Sequence, residues 1–220
     1  MNITKKEFIK VDNKFDEYNN KINESFEYIE GNEKIMISAP HSVSHFRKGK
    51  IKAKDSHTGT IAILLQNALS CNCIYKTKNC NDDANYDIEE NEYKTKLAEI
   101  IRKKQIKFLV DIHGAKEGYD FDIDVGTDNY SNLNNKKEYA NQIIELGKKY
   151  NLNVTIDKVF RASTLHTISK SISEQTKVPC MQMEISKEYR NLENFDNIKI
   201  ILNFLEEFLK KILVDRKSTR

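Results

Sequence analysis

The chain has 220 residues, of which 39% are apolar and 31% charged, and its net charge is +3. This length allows one substantial domain with its own core, which we expect at residues 25–214, after a polar N-terminal segment (1–24) and before a disordered tail (215–220). Nearly balanced acids and bases argue against a nucleic-acid partner. No apolar run is long enough to cross a membrane, and residues 1–6 lack the apolar region of a signal peptide. We therefore expect a cytoplasmic protein without a membrane partner; the oligomeric state stays open.

The four cysteines, Cys71, Cys73, Cys80 and Cys180, do not form a recognisable metal motif. Cys71 and Cys73 are too close together for a zinc knuckle, and no second pair follows them. Structural disulfides are rare in the cytosol. We therefore expect four reduced thiols.

The first half of the domain alternates strands with helices. Residues 26–38 predict two strands joined at Gly31-Asn32, which is a β-hairpin signal. Apolar periodicity then predicts three further elements: a helix over 58–69, a strand over 73–77 and a charged amphipathic helix over 89–104.

The second half continues the alternation from a buried central strand at 106–112. Residues 119–127 alternate apolar and acidic side chains, which predicts a half-exposed strand at a sheet edge. Its acids, Asp120, Asp122 and Asp124, share one face that we interpret as solvated rather than cation-binding. Further elements are predicted at 136–150 (helix), 152–156 (strand), 164–175 (helix, with Leu165, Ile168 and Ile172 inward), 178–185 (strand) and 195–213 (helix).

Strands that alternate with helices at crossover spacing are typical of a three-layer α/β domain. We therefore predict a mixed, largely parallel sheet flanked by helices on both faces.

Polar side chains stand at or just beyond the ends of three predicted buried strands. His41 follows the strand that ends at Ala39-Pro40, His113 ends the central strand, and Glu184 lies near the end of the strand at 178–185. Strand C-termini converge on one edge of an α/β sheet, and two imidazoles with one carboxylate are a ligand set of catalytic zinc. We predict that His41, Asp55 and His113 bind a metal and that Glu184 is the general base.

Some assignments have alternatives. His57 is as good a ligand type as Asp55, and His45 could also reach the site. Asp111, two residues before His113 on the same face, could orient the His113 ring. His166 lies inside a predicted helix, and we interpret it as a helix-surface residue.

Four short motifs occur in an order that resembles the N-formylglutamate amidohydrolase family, whose relatives include zinc carboxypeptidases and aspartoacylases. The resemblance spans about residues 34–205. The motifs are Pro40-His41-Ser42, Asp83-Ala84-Asn85, Asp111-Ile112-His113 and Gln182-Met183-Glu184-Ile185.

The resemblance implies a phosphorylase/hydrolase-like α/β fold, one Zn2+ per chain, and hydrolysis of a C–N amide bond. On the family pattern His41 and His113 are ligands, Glu184 is the base, and Asp55 stands where an acidic ligand, more often glutamate, is expected. It also implies that Asp83 and Asn85 belong to the substrate-binding site.

Two departures from the pattern bear on the substrate. The arginine of the family's Asp-x-Asn-Arg motif is Tyr86 here, and the compact His-x-x-Glu pair of the carboxypeptidases is absent because Ser44 stands at that spacing. Another arginine could hold a substrate carboxylate, since the guanidinium fork pairs bidentately with carboxylates. Arg161 is our first choice, Arg190 the second, and Arg47 a third candidate.

We therefore predict a zinc-dependent amidohydrolase that acts on an N-acyl, including N-formyl, amino acid or small peptide. The alternatives are a peptidase or cell-wall amidase on the same scaffold, and a metal- or ligand-binding relative without catalysis.

Overall fold

The computed structural model describes residues 1–16, 24–87, 91–164 and 166–217. A seven-stranded sheet has the order β1-β5-β2-β6-β9-β7-β8, and β3 and β4 form a separate two-stranded hairpin. The strands are β1 (Phe26–Ile29), β2 (Ile35–Ala39), β3 (His45–Arg47), β4 (Lys50–Lys52), β5 (Asn72–Lys76), β6 (Phe108–Gly114), β7 (Ile123–Gly126), β8 (Val154–Ile156) and β9 (Cys180–Ile185).

The centre of the sheet is parallel and its flanks are mixed. Strand β2 pairs in parallel with β5 and β6, and β6 pairs in parallel with β9. Strands β1 and β7 run antiparallel to β5 and β9, whereas β8 is parallel to β7. The carboxyl ends of β5, β2, β6 and β9 therefore lie at one edge, which is where ligands bind in open α/β sheets.

Helices cover both faces of the sheet. They are α1 (Lys5–Asp12), α2 (Thr58–Leu69), α3 (Glu92–Lys104), α4 (Lys137–Lys149), α5 (Ile168–Thr176) and α6 (Phe195–Lys217), with short 3-10 helices at Asn13–Phe15, Ser131–Leu133, Lys187–Arg190 and Leu192–Asn194. Side chains of α1, α2, α4 and α6 share one apolar cluster with the sheet, and those of α3 and α5 share the other. The three-layer, largely parallel α/β fold is confirmed.

The predicted hairpin between β1 and β2 is wrong, because β5 lies between these two strands. Glycine is required at position 31 for close packing and not for a two-residue turn. A Cβ on Gly31 would overlap the backbone carbonyls of Ser70 and Cys71, so only glycine allows this close approach. A close-packing glycine and a turn glycine look alike in a single sequence.

The segment 119–127 is also not an edge strand. Only Ile123–Gly126 is β-structure, and this strand β7 lies between β9 and β8. Asp120 is exposed and Asp122 half-buried, but Asp124 is fully buried. The acids therefore do not form one solvated face.

Most other boundaries agree with the periodicity. The helix predicted over 58–69 is α2, residue for residue. Helix α5 begins at Ile168 rather than at 164, and α6 continues to Lys217 rather than ending at 213. Predictions on residues 89–90, Leu165 and 218–220 fall outside the described residues.

The N-terminal polar segment adds two side chains to the core. A capping box between Thr4 and Glu7 starts α1. This helix buries Phe8, and the turn after it buries Phe15. None of the described helices is long and apolar enough to cross a membrane.

Candidate metal centre

Three neighbouring strands bring the predicted site residues together. His113 in β6 lies directly opposite Glu184 in β9, so both side chains leave the same face of the sheet. His41 stands in the turn after β2, the other neighbour of β6. Asp55 precedes α2, and its backbone N–H donates to the His41 carbonyl at 2.9 Å, which holds this segment at the sheet edge.

Donor atoms of His41, Asp55 and His113 form a compact triangle. The two histidine Nδ1 atoms lie 3.1 Å apart, His41 Nδ1 lies 3.2 Å from Asp55 Oδ2, and His113 Nδ1 lies 3.5 Å from the same oxygen. Ligands of a tetrahedral zinc ion, at bond lengths near 2.0–2.1 Å, are about 3.3 Å apart. The triangle therefore has the dimensions of three ligands on one face of a zinc ion.

The outer nitrogen of each imidazole is bound to a buried carboxylate. His41 Nε2 lies 2.8 Å from Asp83 Oδ1, and His113 Nε2 lies 2.9 Å from Asp111 Oδ2. Carboxylates in this position fix the ring and its tautomer, with the inner nitrogen left free for a metal. The Gly114 N–H donates to Asp55 Oδ2 at 3.0 Å and orients the third donor.

The charges around the site are compatible with a divalent cation. Four carboxylates surround the site, those of Asp55, Asp83, Asp111 and Glu184. Arg47 pairs with Asp83 at 2.6 Å, and Arg190 attracts Asp55 and Glu184 electrostatically. If a metal kept both imidazoles deprotonated and Glu184 were ionised, the carboxylates would exceed the arginines by two charges, which one divalent cation would balance. Without a metal, protonated imidazoles can balance the same carboxylates, because, despite burial, nearby carboxylates raise the pKa values of His41 and His113. Asp111 Oδ1 is buried and has no hydrogen-bond partner among the described residues, which fits an excess of acceptors.

The ionisable groups respond to one another strongly. Burial alone would raise the pKa of Asp55, but hydrogen bonds with His113 and His41 outweigh it and hold that pKa far below the usual range. Burial opposes protonation of His113, yet Asp111 beside it raises the His113 pKa well above its usual value. Burial raises the pKa of Glu184 to about 7.

The histidines that were alternatives to Asp55 have different surroundings, and His45 forms a second candidate group of metal donors with His41 and Asp83. His57 Nδ1 lies 2.9 Å from Asp12 Oδ1, which occupies this ring away from the triangle. His45 stacks on His41 with ring centroids 3.8 Å apart. Burial, and then His41, lower the His45 pKa to about 4, so the ring is neutral at pH 7.

A hydrogen-bond chain that the sequence did not reveal holds Glu184. Gln182 Nε2 donates to Glu184 Oε1 at 3.0 Å, and Asn85 Nδ2 donates to Gln182 Oε1 at 3.4 Å. Asn85 Oδ1 accepts from the Ile168 N–H at 2.8 Å. Gln182 lies two residues before Glu184 on the same face of β9, and this spacing is the signal that could have identified it.

A cavity of about 630 Å3 opens over the triangle. Donors His41, Asp55 and His113 line it together with Glu184. Other lining residues include His45, Arg47, Lys52, Asn85, Tyr86, Arg161, His166 and Gln182. His166 is therefore a cavity residue that precedes α5, not a helix-surface residue.

Arg161 reaches the cavity from a loop that Asp124 holds in place. The Asp124 carboxylate accepts hydrogen bonds from the N–H groups of residues 158, 159 and 160 and from the Thr155 hydroxyl, at 2.8–3.1 Å. The Arg161 side chain is exposed and forms no hydrogen bond or ion pair with a described residue. Its charge acts on Asp128 at longer range, but no direct bond to a described residue occupies the guanidinium.

Two predicted substrate-binding residues have other positions. Asp83 is buried behind His41, and among the described residues it is not part of the cavity wall. Arg190 is 4% exposed, and its guanidinium donates to the carbonyls of Ser56, Ala115 and Ile185 at 2.6–3.0 Å. We therefore do not retain Arg190 as a substrate ligand.

Fold and donor set together define a three-layer α/β protein of the phosphorylase/hydrolase-like class with a candidate metal centre at the carboxyl edge of its sheet. No protein-family model and no curated protein sequence matches the chain.

Solved structures share the fold. A gene product of Agrobacterium tumefaciens has a TM-score of 0.65 and 14% identity over 88% of this chain and 95% of its own. An N-formylglutamate amidohydrolase from Ralstonia eutropha has a TM-score of 0.64 and 9% identity over 89% and 99%. A bacteriophage poly-gamma-glutamate hydrolase has a TM-score of 0.54 and 14% identity over 93% and 95%. The resemblance to the N-formylglutamate amidohydrolases is thus confirmed at the level of the fold.

Proposed function

We propose that this protein is a zinc-dependent amidohydrolase that cleaves the C–N amide bond of an N-acyl amino acid or small peptide. The observation that carries this proposal is the triangle of His41, Asp55 and His113 donors, 3.1–3.5 Å apart, with a carboxylate behind each imidazole. Its likeness in fold to an N-formylglutamate amidohydrolase supports the choice of reaction.

His41 Nδ1, His113 Nδ1 and one oxygen of Asp55 would hold a single Zn2+. When bound, zinc supplies a Lewis acid that polarises the scissile carbonyl and makes water more acidic. Asp83 and Asp111 accept the outer N–H of each imidazole, which fixes the ring with its inner nitrogen toward the metal position and raises the donor strength of that nitrogen.

Glu184 is the general base in this proposal. It lies in the cavity wall opposite His113, where it can accept a proton from the attacking water and pass it to the leaving amine. The bond from Gln182 engages Oε1, so Oε2 is the oxygen available for proton transfer. Asn85 orients the Gln182 amide. The Ile168 N–H donates to Asn85 Oδ1, so Asn85 Nδ2 donates to Gln182 Oε1, and Gln182 Nε2 is left to donate to Glu184.

Arg161 is our candidate for binding a substrate carboxylate, since it lines the cavity and its side chain is unpaired among the described residues. Both ends of the Asn85 amide are bonded within the protein, so we assign Asn85 to positioning Gln182 rather than to direct substrate contact. A peptide-cleaving enzyme on the same scaffold is the second candidate, favoured by the size of the cavity and the shared fold of the phage hydrolase.

The first test is metal content of the purified protein. We expect about one zinc per chain in the wild type and its loss in His113→Ala. His166→Ala is the matched control, because His166 lines the same cavity outside the triangle, and this variant should keep the metal. No metal in the wild type, even after zinc is added, would rule out the mechanism and leave a ligand-binding protein.

The second test is turnover on N-formyl and N-acetyl amino acids and on dipeptides. Glu184→Gln should keep zinc and lose about 100- to 10,000-fold in kcat, whereas Glu188→Gln, on an exposed side chain, should keep both. A Glu184→Gln protein with the wild-type rate would show that another group is the base.

A further inference from the structure

The β3–β4 hairpin presents a cationic face beside the metal centre. His45 pairs with Lys52, Phe46 with Ile51, and Arg47 with Lys50. Paired residues in an antiparallel hairpin point to the same side. Arg47, Lys50, Lys52 and the neutral His45 therefore share one face, and His45, Arg47 and Lys52 line the cavity.

This arrangement works against the stability of the hairpin itself. Like charges directly opposite each other, as in the Arg47–Lys50 pair, are destabilising. The stretch 43–54 contains no acidic residue, and none of Lys48, Lys50 and Lys52 forms an ion pair with an acidic side chain in the described part of the chain. Asp83 compensates Arg47, but the lysines of the hairpin break this local rule without an acidic partner among the described residues, and such exceptions are expected at functional surfaces.

The hairpin is also held in a fixed position next to the active site. Its Phe46 N–H donates to the Asp82 carbonyl at 3.0 Å, and Arg47 Nε donates to Asp83 Oδ2 at 2.6 Å. The Arg47 guanidinium and the Lys48 ammonium lie 5.2 and 5.5 Å from the centre of the Tyr86 ring, within the range of cation–π attraction. An ordered cationic surface binds an anion with less loss of entropy than a mobile one.

We infer that the cationic face of the β3–β4 hairpin binds an acidic peptide chain and extends it away from the metal centre. This inference rests on the proposed function, because it names the class of substrate that enters the same cavity. Lys50 and Lys52 are two residues apart on one strand face, a spacing of about 7 Å that successive side-chain carboxylates of an extended chain can match. The surface leads directly into the cavity, where Arg161 offers a further cation.

A peptide accounts for the position of this face better than a nucleic acid or a membrane. Two of the cations, Arg47 and Lys52, line a cavity that a duplex or a bilayer cannot enter, and the chain as a whole carries a net charge of only +3. Carboxylates on a flexible chain can follow the hairpin while one amide bond sits at the metal centre.

The test measures binding of fluorescein-labelled hexaglutamate to the zinc-loaded Glu184→Gln protein by fluorescence anisotropy. The double variant Lys50→Glu/Lys52→Glu should weaken binding about tenfold or more at 50 mM salt, from two lost ion pairs and added repulsion. The neutral variant Lys50→Gln/Lys52→Gln should lose less affinity than the charge-reversed variant. Thermal unfolding of both variants shows whether a loss of affinity comes from misfolding. Affinity of the unsubstituted hairpin should fall as salt rises.

The control is Lys6→Glu/Lys10→Glu, which makes the same charge change on exposed lysines of α1 and should leave affinity within about twofold. An equal loss of affinity in Lys50→Glu/Lys52→Glu and in the α1 control, or no loss in either of these two, would overturn the inference. So would tighter hairpin-dependent binding of a six-nucleotide single-stranded RNA or of phosphatidylserine vesicles than of the peptide.

Binding and turnover separate the two proposals. If the wild type hydrolyses no amide but the hairpin variants lose hexaglutamate binding, the hairpin inference stands and the proposed function fails. If the wild type hydrolyses N-acyl amino acids but the hairpin variants bind hexaglutamate as tightly as their control, the proposed function stands and the inference fails.

Discussion

Replacing Arg190 by methionine tests whether this arginine holds the metal centre together instead of binding substrate. Its guanidinium is 4% exposed and donates to three carbonyls, those of Ser56, Ala115 and Ile185. These carbonyls belong to the segment after Asp55 and to the ends of β6 and β9, so Arg190 ties three parts of the site to one another. Gly114 leaves room for it, since a Cβ there would overlap the guanidinium.

The expected loss follows from these contacts. A hydrogen bond from a charged group contributes about 1.5–3 kcal/mol, and a buried carbonyl left without a donor adds a penalty, so we expect the free energy of unfolding to fall by about 3–5 kcal/mol. For a chain of this length about 2–4 °C is lost per kcal/mol, which gives a decrease in Tm of about 10 °C. Because Ser56 follows Asp55, zinc affinity should fall as well.

Thermal unfolding by circular dichroism and competition for zinc with a chromogenic chelator measure both effects. Arg161→Met is the matched control: its side chain is exposed, so we expect an unchanged Tm and zinc affinity but a higher KM for substrates with a carboxylate. An Arg190→Met protein with the wild-type Tm and a raised KM would refute this reasoning and return Arg190 to the substrate site.

Three further variants or reagents probe the supporting structure. Asp111→Asn should weaken zinc binding about 10- to 100-fold in chelator competition, because the carboxylate behind His113 supports the ligand; unchanged affinity would contradict that role. Asp124→Ala should cost about 2–4 kcal/mol in urea unfolding, since three backbone N–H groups at 158–160 lose their acceptor, whereas Asp120→Ala, at an exposed side chain, should cost little. In the native protein only Cys80 should react rapidly with Ellman's reagent, because the other three thiols are buried, and rapid reaction of a second thiol would contradict this.

The sequence predicted the elements well and their arrangement less well. Long periodic segments fix their own secondary structure, and α2 matches its predicted bounds. Strand order depends instead on contacts between distant segments. Glycine is required at position 31 because the carbonyls of Ser70 and Cys71, about forty residues away in the chain, leave no room for a Cβ. The local sequence pattern does not show such a distant neighbour. The burial of Asp124 has the same origin, because its donors come from residues 155–160.

The position of a residue along a predicted strand was enough to place it at the site, but the sequence did not show which side chains it would bind. Placing His113 and Glu184 near strand ends was enough to expect them at one sheet edge, and β6 and β9 do bring them opposite each other. The roles of Asp83 and Arg190 could not be read in this way. A carboxylate that supports a ligand and one that binds substrate have the same sequence appearance, and only burial and bonding partners distinguish them.

Asp83 also gives a reason why the hairpin and the metal centre are built next to each other. One of its oxygens accepts from His41 and the other from Arg47, so the cation of the hairpin lies one carboxylate away from a proposed metal ligand. An unpaired Asp83 would be a buried charge with high cost; Arg47 offsets that cost and also lines the cavity. The same arginine therefore stabilises the carboxylate beside His41 and places positive charge where the acidic peptide that we infer would enter.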